Sequence, residues 1–375
     1  MKKLILIAIV AIVVILLIAL FGGSKTPGSS NGKEPIKIAA IISETGVAAA
    51  FGEMAHKGMA LAQKEINDAG GIDGRMLEIV WENDQTDPKV SSGLFQKVTG
   101  IDKVSAIIGS NFDFVTQPLF SLASTSKVVV ISPSNPRIPG AFDTNSHAFV
   151  MMTEFDTIIR SFKDYLSKES YTQLGIVRFE SSFAESIQNT LGALQAELGK
   201  KPIISETYKQ IGNNDFKTQI LKLKQAKVDL VFLDMIGPDP MTFVQQAKAL
   251  GFNPKYITHI GIQDALSIQG IDPNMFNGMV VINWNFSPAS FMEKFQKAYG
   301  IAADKSADRA YDGVYVLAQA ISQSKEPGDL ASILEQGTFV TPNGPFKFNA
   351  KHAADQTPVL MQIIKEGKLV DYVAQ

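Results

Sequence analysis

The chain has 375 residues, of which 45% are hydrophobic and 19% charged, and its formal net charge is −2 at pH 7. This length suits two domains, and the composition excludes both a single small module and an intrinsically disordered chain. No basic block stands out, which argues against nucleic acid as a partner. Cysteine is absent, which excludes a disulfide, a thiolate zinc site, a cysteine nucleophile and a lipid-modified cysteine anchor.

The N-terminal segment, residues 1–23, has the pattern of an export or membrane segment. Two lysines precede an unbroken apolar run at 4–21, which as a helix would reach about 27 Å and span a bilayer core. Leu20 and Phe21 occupy positions where a signal peptidase needs small residues. We therefore expect a retained anchor, with a cleaved signal as the alternative. The lysines predict that the remainder lies outside the cytoplasmic membrane, and residues 24–35 predict a flexible linker.

From residue 36 onward, short β-rich runs alternate with helical stretches of about a dozen residues. This is the pattern of βαβ units on a parallel sheet, so the predicted fold class is α/β. The first predicted lobe ends near Thr153 and contains these strands and helices: strands 36–42, 77–84, 104–110 and 128–134, and helices 51–71, 89–99 and 114–126.

The same alternation then restarts, which predicts a second, similar lobe. Its predicted elements are helices 155–168, 183–198, 216–225 and 241–250, and strands 173–179, 202–208, 228–235, 256–262 and 278–286. Two further helices, 291–299 and 308–324, precede a β-like tail at 344–350 and 358–370. The repetition is architectural, because no fixed period of sequence similarity is present.

The common catalytic and cofactor motifs are missing. No GxxxxGK[ST], GxGxxG, GxSxG or HExxH occurs, and the four histidines are too dispersed for a predicted metal site. Asp234 and Asp239 form an acid pair near a strand end, where capping or binding of a ligand amine is a commoner role than acid–base catalysis. We predict no enzymatic activity, no cofactor and no metal.

In open parallel sheets, ligands bind beyond the carboxyl ends of the strands. The loops at these ends are mixed polar and apolar, as a small-molecule cleft requires. Their candidate residues are Ser43, Thr45, Phe51, Gly52, Asp113, Phe114, Thr116, Ser134, Asn135, Ser181, Ser182, Phe183, Asp234, Asp239, His259 and Asp264. Helix capping is the alternative for Ser43, Thr45 and Asp113, and core packing is the alternative for the aromatic residues and Trp284.

Several stretches together carry a family resemblance. They lie at 51–91, 107–110, 116–118, 128–134, 215–233, 245–252 and 310–321, with a closing G-P-x-x-F at 344–348. From Ile36 to Val370 the chain resembles the type I periplasmic solute-binding proteins of ABC importers, in the branch that binds leucine, isoleucine and valine.

The resemblance implies two Rossmann-like lobes with parallel sheets, joined by crossover hinge strands. It implies that an amino acid is trapped between the lobes and delivered to a membrane permease. The expected division is 36–153 plus 283–355 for lobe 1, and 154–282 plus 356–375 for lobe 2. The expected location is the periplasm or the outer face of the cytoplasmic membrane, with residues 4–21 as anchor.

The resemblance also implies a set of ligand-binding residues, with departures from the family pattern. Asp113 stands where the family has a hydroxyl for the ligand carboxylate, and His259 or Ile260 stands where it has an acid for the ligand ammonium. Because Asp113 would repel a carboxylate, the ligand class stays open between an amino acid, an amide, a cation, a peptide and another small solute. The predicted ligand-binding residues are Phe51, Asp113, Phe114, Ser134, Asn135, Phe183, Asp234, His259, Asp264 and Tyr311.

Two other classes remain as alternatives. A ligand-sensing module with the same two lobes would need a separate signalling partner, because no signalling domain follows Val370. An extracytoplasmic enzyme is disfavoured by the missing motifs.

Overall fold

The computed structural model describes residues 33–134, 146–212, 214–266, 268–284, 287–326, 328–355 and 359–373. Among these residues, every helix is too short or too polar to cross a membrane. The predicted anchor at 4–21 and most of the predicted linker lie outside the described residues.

The first sheet has five parallel strands in the order β2-β1-β3-β4-β5. Apart from the edge strand β2, its strands are rich in isoleucine, valine and alanine and are buried on both faces, as expected of a parallel sheet covered by helices. They are β1 (Ile36–Ile42), β2 (Leu77–Asn83), β3 (Ala106–Gly109), β4 (Val129–Ser132) and β5 (Ala148–Val150). The helices between them are α1 (Ala49–Asp68), α2 (Pro88–Gly100) and α3 (Asp113–Ser126). We call the unit built on this sheet lobe 1.

The second sheet begins with five parallel strands, and we call the unit built on it lobe 2. These strands are β6 (Leu174–Phe179), β7 (Ile204–Tyr208), β8 (Leu230–Asp234), β9 (Lys255–His259) and β10 (Val280–Asn283). Its helices are α4 (Phe155–Lys168), α5 (Ser182–Glu197), α6 (Lys217–Gln225), α7 (Asp239–Ala249) and α8 (Ile262–Leu266), with a 3₁₀ turn at Pro273–Phe276.

After β10 the chain returns to lobe 1. The returning elements are α9 (Ala289–Tyr299), α10 (Lys305–Gln323), α11 (Leu330–Gln336) and a hairpin of β11 (Phe339–Thr341) and β12 (Gly344–Phe346). Helix α10 packs against α1, and Gly58 permits their close approach, since a Cβ atom there would lie 2.1 Å from the carbonyl oxygen of Ala307. An isolated β-bridge then joins Ala353 to Val150 at the end of β5.

The last two strands complete the second sheet. They are β13 (Leu360–Lys365) and β14 (Lys368–Asp371), which add to β10 in antiparallel fashion and give the order β14-β13-β10-β9-β8-β6-β7. The chain therefore passes between the lobes after β5, after β10 and before β13. Each sheet carries a hydrophobic core on both faces. The predicted α/β fold of two Rossmann-like lobes is confirmed.

Candidate functional site

The candidate site lies where the carboxyl ends of the strands in both lobes meet helix N-termini. Helix α3 of lobe 1 begins at Asp113, and helix α5 of lobe 2 begins one residue after its N-cap, Ser181. The side-chain oxygen of Ser181 accepts a hydrogen bond from the Ala184 amide at 3.1 Å, which fixes the start of α5. These two helix starts contact each other across the lobes.

A buried polar cluster closes the strand ends of lobe 1. Asp84 follows β2 directly and is fully buried, as are Ser43 after β1 and Ser110 after β3. The hydroxyl of Ser43 donates to one Asp84 carboxylate oxygen at 2.6 Å, and that of Ser110 donates to the other. The cluster therefore links the carboxyl ends of three neighbouring strands and forms part of the lobe 1 side of the candidate site.

Ser134 belongs to a looser set of polar groups beside this cluster. The buried Asn111 side-chain amide lies 3.5 Å from both the Phe51 carbonyl oxygen and the Ser134 hydroxyl. Ser134 in turn lies 3.5 Å from the hydroxyl of Ser306, near the start of α10. These long contacts leave the Ser134 and Asn111 side chains available for stronger hydrogen bonds.

Asp113 connects the two lobes. Its carboxylate accepts a hydrogen bond from the Phe183 amide in the first turn of α5, at 2.9 Å. Burial raises the pKa of Asp113, and the charge of Asp234 adds to this rise, while the amides of Phe183 and Phe114 oppose it. The N-cap of α3 is Phe112, without a side-chain capping bond. Asp113 therefore stabilises the start of a helix in the other lobe.

Aromatic rings extend this contact between the lobes. Phe51 meets Phe112 edge-on with ring centroids 5.4 Å apart, and Phe112 stacks on Phe114 at 5.8 Å. Phe114 then lies 6.3 Å from Phe179 at the end of β6, which is in lobe 2. Phe51 is only 7% exposed. The rings form a continuous apolar wall across the candidate site.

In lobe 2 the candidate site is built on a histidine–aspartate pair. Asp234 ends β8 and His259 ends β9, and the His259 Nε2 atom lies 2.7 Å from one Asp234 carboxylate oxygen. The two residues are 5% and 4% exposed. The His259 Nδ1 atom accepts the Gly261 amide at 2.9 Å. Glycine at 261 leaves room for this ring position, because a Cβ atom there would lie 2.5 Å from the imidazole Cε1 atom and would require the ring to move.

Two large rings surround this pair. Trp284, directly after β10, lies 5.4 Å from the His259 ring, and Phe183 lies 6.4 Å from it. Phe183 and Trp284 are themselves 5.8 Å apart. The Phe183 amide also donates to Asp113. Phe183 therefore lies next to both the Asp234–His259 pair of lobe 2 and Asp113 of lobe 1.

Three further predicted site residues are Tyr311, Asp264 and Asn135. Tyr311 is fully buried in the lobe 1 core, where its hydroxyl donates to Glu65 and accepts from Lys294 at 2.7 Å. Asp264 lies on α8, where its carboxylate is 3.4 Å from the Gly237 amide. The structure thus places Tyr311 away from the helix starts that meet between the lobes. Asn135 lies outside the described residues.

Asp239, the second member of the predicted acid pair, has hydrogen-bond partners of its own. Its carboxylate accepts hydrogen bonds from the Gly212 amide at 3.0 Å and from the Asn214 side-chain amide at 2.9 Å. Burial raises the pKa of Asp239, and these donors oppose the rise. Asp239 therefore anchors a loop of lobe 2.

The sequence analysis did not single out Asp84, Ser110 or Asn111. A usable signal was present, because Asp84 and Ser110 each follow a strand directly at its carboxyl end and Asn111 comes next after Ser110. Within the described part of the chain, no group of three or more His, Cys, Asp or Glu side chains is arranged to hold a metal ion.

The fold and the position of the site define a two-lobed binding protein with its candidate site between the lobes. A model of the periplasmic binding protein family matches residues 35–368. The chain belongs to this family. It is 26% identical, over 335 residues, to the leucine-, isoleucine-, valine-, threonine- and alanine-binding protein of Pseudomonas aeruginosa, covering 86% of this chain and 88% of that protein.

Solved structures share the fold. The branched-chain amino acid substrate-binding protein LivJ of Streptococcus pneumoniae, in complex with isoleucine, matches with a TM-score of 0.75 and 22% identity. That match covers 89% of this chain and 97% of LivJ. An ABC-transporter solute-binding protein from R. palustris, in complex with benzoate, matches with a TM-score of 0.74 and 18% identity over 90% of this chain and 95% of that one.

Proposed function

We propose that this protein is the extracytoplasmic substrate-binding component of an ABC importer. It captures an amino acid or a related small solute between its lobes and delivers it to a permease. The observation that carries the proposal is the meeting of polar strand ends from both lobes, where the Asp113 carboxylate accepts the Phe183 amide. Closing of two lobes around a solute is a known hinge motion.

The names of the relatives support this reading. The Pseudomonas aeruginosa relative is described as binding five aliphatic or hydroxyl amino acids, and the LivJ structure contains isoleucine. The R. palustris structure contains benzoate, so the same fold accepts a ligand without an ammonium group. Family membership thus supports solute binding, and the identity of the solute depends on the residues of this cleft.

The proposed lobe boundaries are those expected from the sequence: 36–153 plus 283–355, and 154–282 plus 356–375. The separate sheets and the three passages between them support this division.

We further propose that the apolar run at 4–21 retains the protein at the outer face of the membrane, with 24–35 as a tether. Within the cleft we propose that Phe51, Phe114 and Ser134 contact the ligand from lobe 1, and we keep Asn135 as a candidate on the ground of the sequence alone.

A thermal-shift screen of the full-length protein in detergent tests the proposal. The panel contains aliphatic amino acids, amines, amides, aromatic acids and short peptides. A solute at about 100 times its dissociation constant adds about 2.7 kcal/mol to the stability of the folded state. We expect saturable stabilisation by at least one member, whereas an unchanged melting temperature across the whole panel would contradict the proposal.

A further inference from the structure

The Asp234–His259 pair carries one net negative charge. The His259 Nδ1 atom accepts the Gly261 amide, so this nitrogen holds a lone pair and the ring proton is on Nε2. The imidazole is therefore neutral and donates to one oxygen of Asp234 through Nε2 at 2.7 Å. Because a neutral donor does not cancel a carboxylate, the charge of Asp234 remains.

The second carboxylate oxygen of Asp234 is buried and has no hydrogen-bond partner among the described residues. Arg178 is its register neighbour on β6, but the Arg178 Nε atom donates to the side chain of Gln188 at 2.6 Å. Within the described ranges, no lysine or arginine forms a salt bridge with Asp234, and its one close partner is the neutral imidazole of His259. A buried carboxylate oxygen without a partner is costly, so a ligand that supplies a donor would be strongly favoured.

The surroundings suit a positive ligand group better than a negative one. Phe183 and Trp284 lie beside the pair, with ring centroids 6.4 Å and 5.4 Å from the His259 ring, and aromatic rings attract organic cations. Asp113 faces the same region from lobe 1 and already accepts the Phe183 amide at the start of α5. A ligand carboxylate could not accept the Phe183 amide, because Asp113 already accepts it. It would also be repelled by the negative charges of Asp113 and Asp234.

We propose that the solute bound in this cleft is a small organic cation whose ammonium or guanidinium group binds the free oxygen of Asp234. This inference rests on the proposed function and names the ligand class for the same site. Asp234 acts as the counter-ion, His259 orients it, and Phe183 and Trp284 pack on the carbon atoms next to the charge.

Calorimetric titration of the full-length protein with matched probes tests this assignment. Isoamylamine, leucine, 4-methylpentanoate and 4-methylpentanamide share a 3-methylbutyl chain but differ in the charged or polar groups attached to it, and agmatine adds a larger cation with a guanidinium group. We expect an amine probe to bind most tightly and 4-methylpentanoate to give no heat. Tightest binding of leucine, the acid, the amide or an aromatic acid would overturn the cation assignment and keep the proposed function. Absence of binding by every solute, here and in the thermal-shift panel, would overturn both.

An isosteric variant separates the role of the charge from folding. Asp234→Asn keeps an oxygen for His259, and we expect it to weaken amine binding roughly 10- to 150-fold, the range for one hydrogen bond to a charged group. Asp215→Asn removes an exposed acid of the same lobe, paired with Lys217, and should change amine binding less than about twofold. Equal affinities of the wild type and Asp234→Asn would overturn the assignment. If the variant does not fold, the probe series on the wild type still decides.

Discussion

Asp312 on α10 should make the stability of the protein depend on pH. It is 4% exposed in lobe 1, where the Asn343 side-chain amide donates to its carboxylate at 3.1 Å. Burial is the largest cause that raises the pKa of Asp312 to about 7, and the neighbouring charge of Asp308 adds to it. Hydrogen bonding from Thr341 and Asn343 and the charge of Arg309 act in the opposite direction.

The magnitude follows from the difference between the folded and unfolded states. The pKa of Asp312 rises from an ordinary 3.8 to about 7, and each unit corresponds to about 1.36 kcal/mol. Because the folded-state pKa is the higher one, the stabilising contribution is fully present below pH 4 and is lost as the pH rises to about 7. The loss over this interval is on the order of 4 kcal/mol.

Asp312→Asn removes this dependence because the amide cannot ionise. Urea denaturation of the full-length protein at pH 4 and pH 8 measures the effect, with the wild type and the variant compared at each pH. We expect the free energy of unfolding of the variant, relative to the wild type, to be higher at pH 8 than at pH 4 by about that amount. Asp68→Asn, at an exposed acid of α1, is the control and should leave the pH dependence unchanged. Equal pH dependences of the wild type and Asp312→Asn would refute the reasoning.

Two glycine variants test the packing described for the lobes. In Gly261→Ala the new Cβ atom would lie 2.5 Å from the Cε1 atom of His259, so we expect the imidazole ring to turn away. The ¹⁵N chemical shifts of the imidazole should then report a changed tautomer. Unchanged shifts would show that the position of the ring does not depend on this glycine. Gly58→Ala should lower the free energy of unfolding by roughly 1–3 kcal/mol, since its Cβ atom would lie 2.1 Å from the Ala307 carbonyl oxygen. A urea midpoint equal to that of the wild type would contradict the close approach of α1 and α10.

Local patterns in the sequence were sufficient for most of the secondary structure. The helix predicted over 155–168 is found at Phe155–Lys168, and the strand predicted over 36–42 at Ile36–Ile42. The helix predicted over 241–250 begins earlier, at Asp239, because Pro240 is well tolerated in a first helical turn. Apolar periodicity did not reveal the three-residue β5 or the short α11, since few residues carry the pattern there.

The side-chain arrangement of the site was less accessible to sequence reasoning. The contact between Asp113 and Phe183 joins residues of different lobes, so it depends on how the lobes meet. The pairing of Asp234 with His259 depends on strand order, because β8 and β9 are neighbours in the sheet. Tyr311 lies in a stretch with family resemblance, but its ring packs in the core beside Glu65, which local sequence does not show.

The two lobes should close when a solute binds between them, and a distance measurement between the lobes tests this closure. The chain contains no cysteine, so the variant Gln117→Cys, Asn189→Cys places spin labels only on α3 of lobe 1 and α5 of lobe 2, at exposed positions. Pulsed electron spin resonance then gives the distribution of distances between the labels with and without the solute that stabilises the protein most. We expect a shorter and narrower distribution of distances with the solute. An identical distribution in both samples would contradict it.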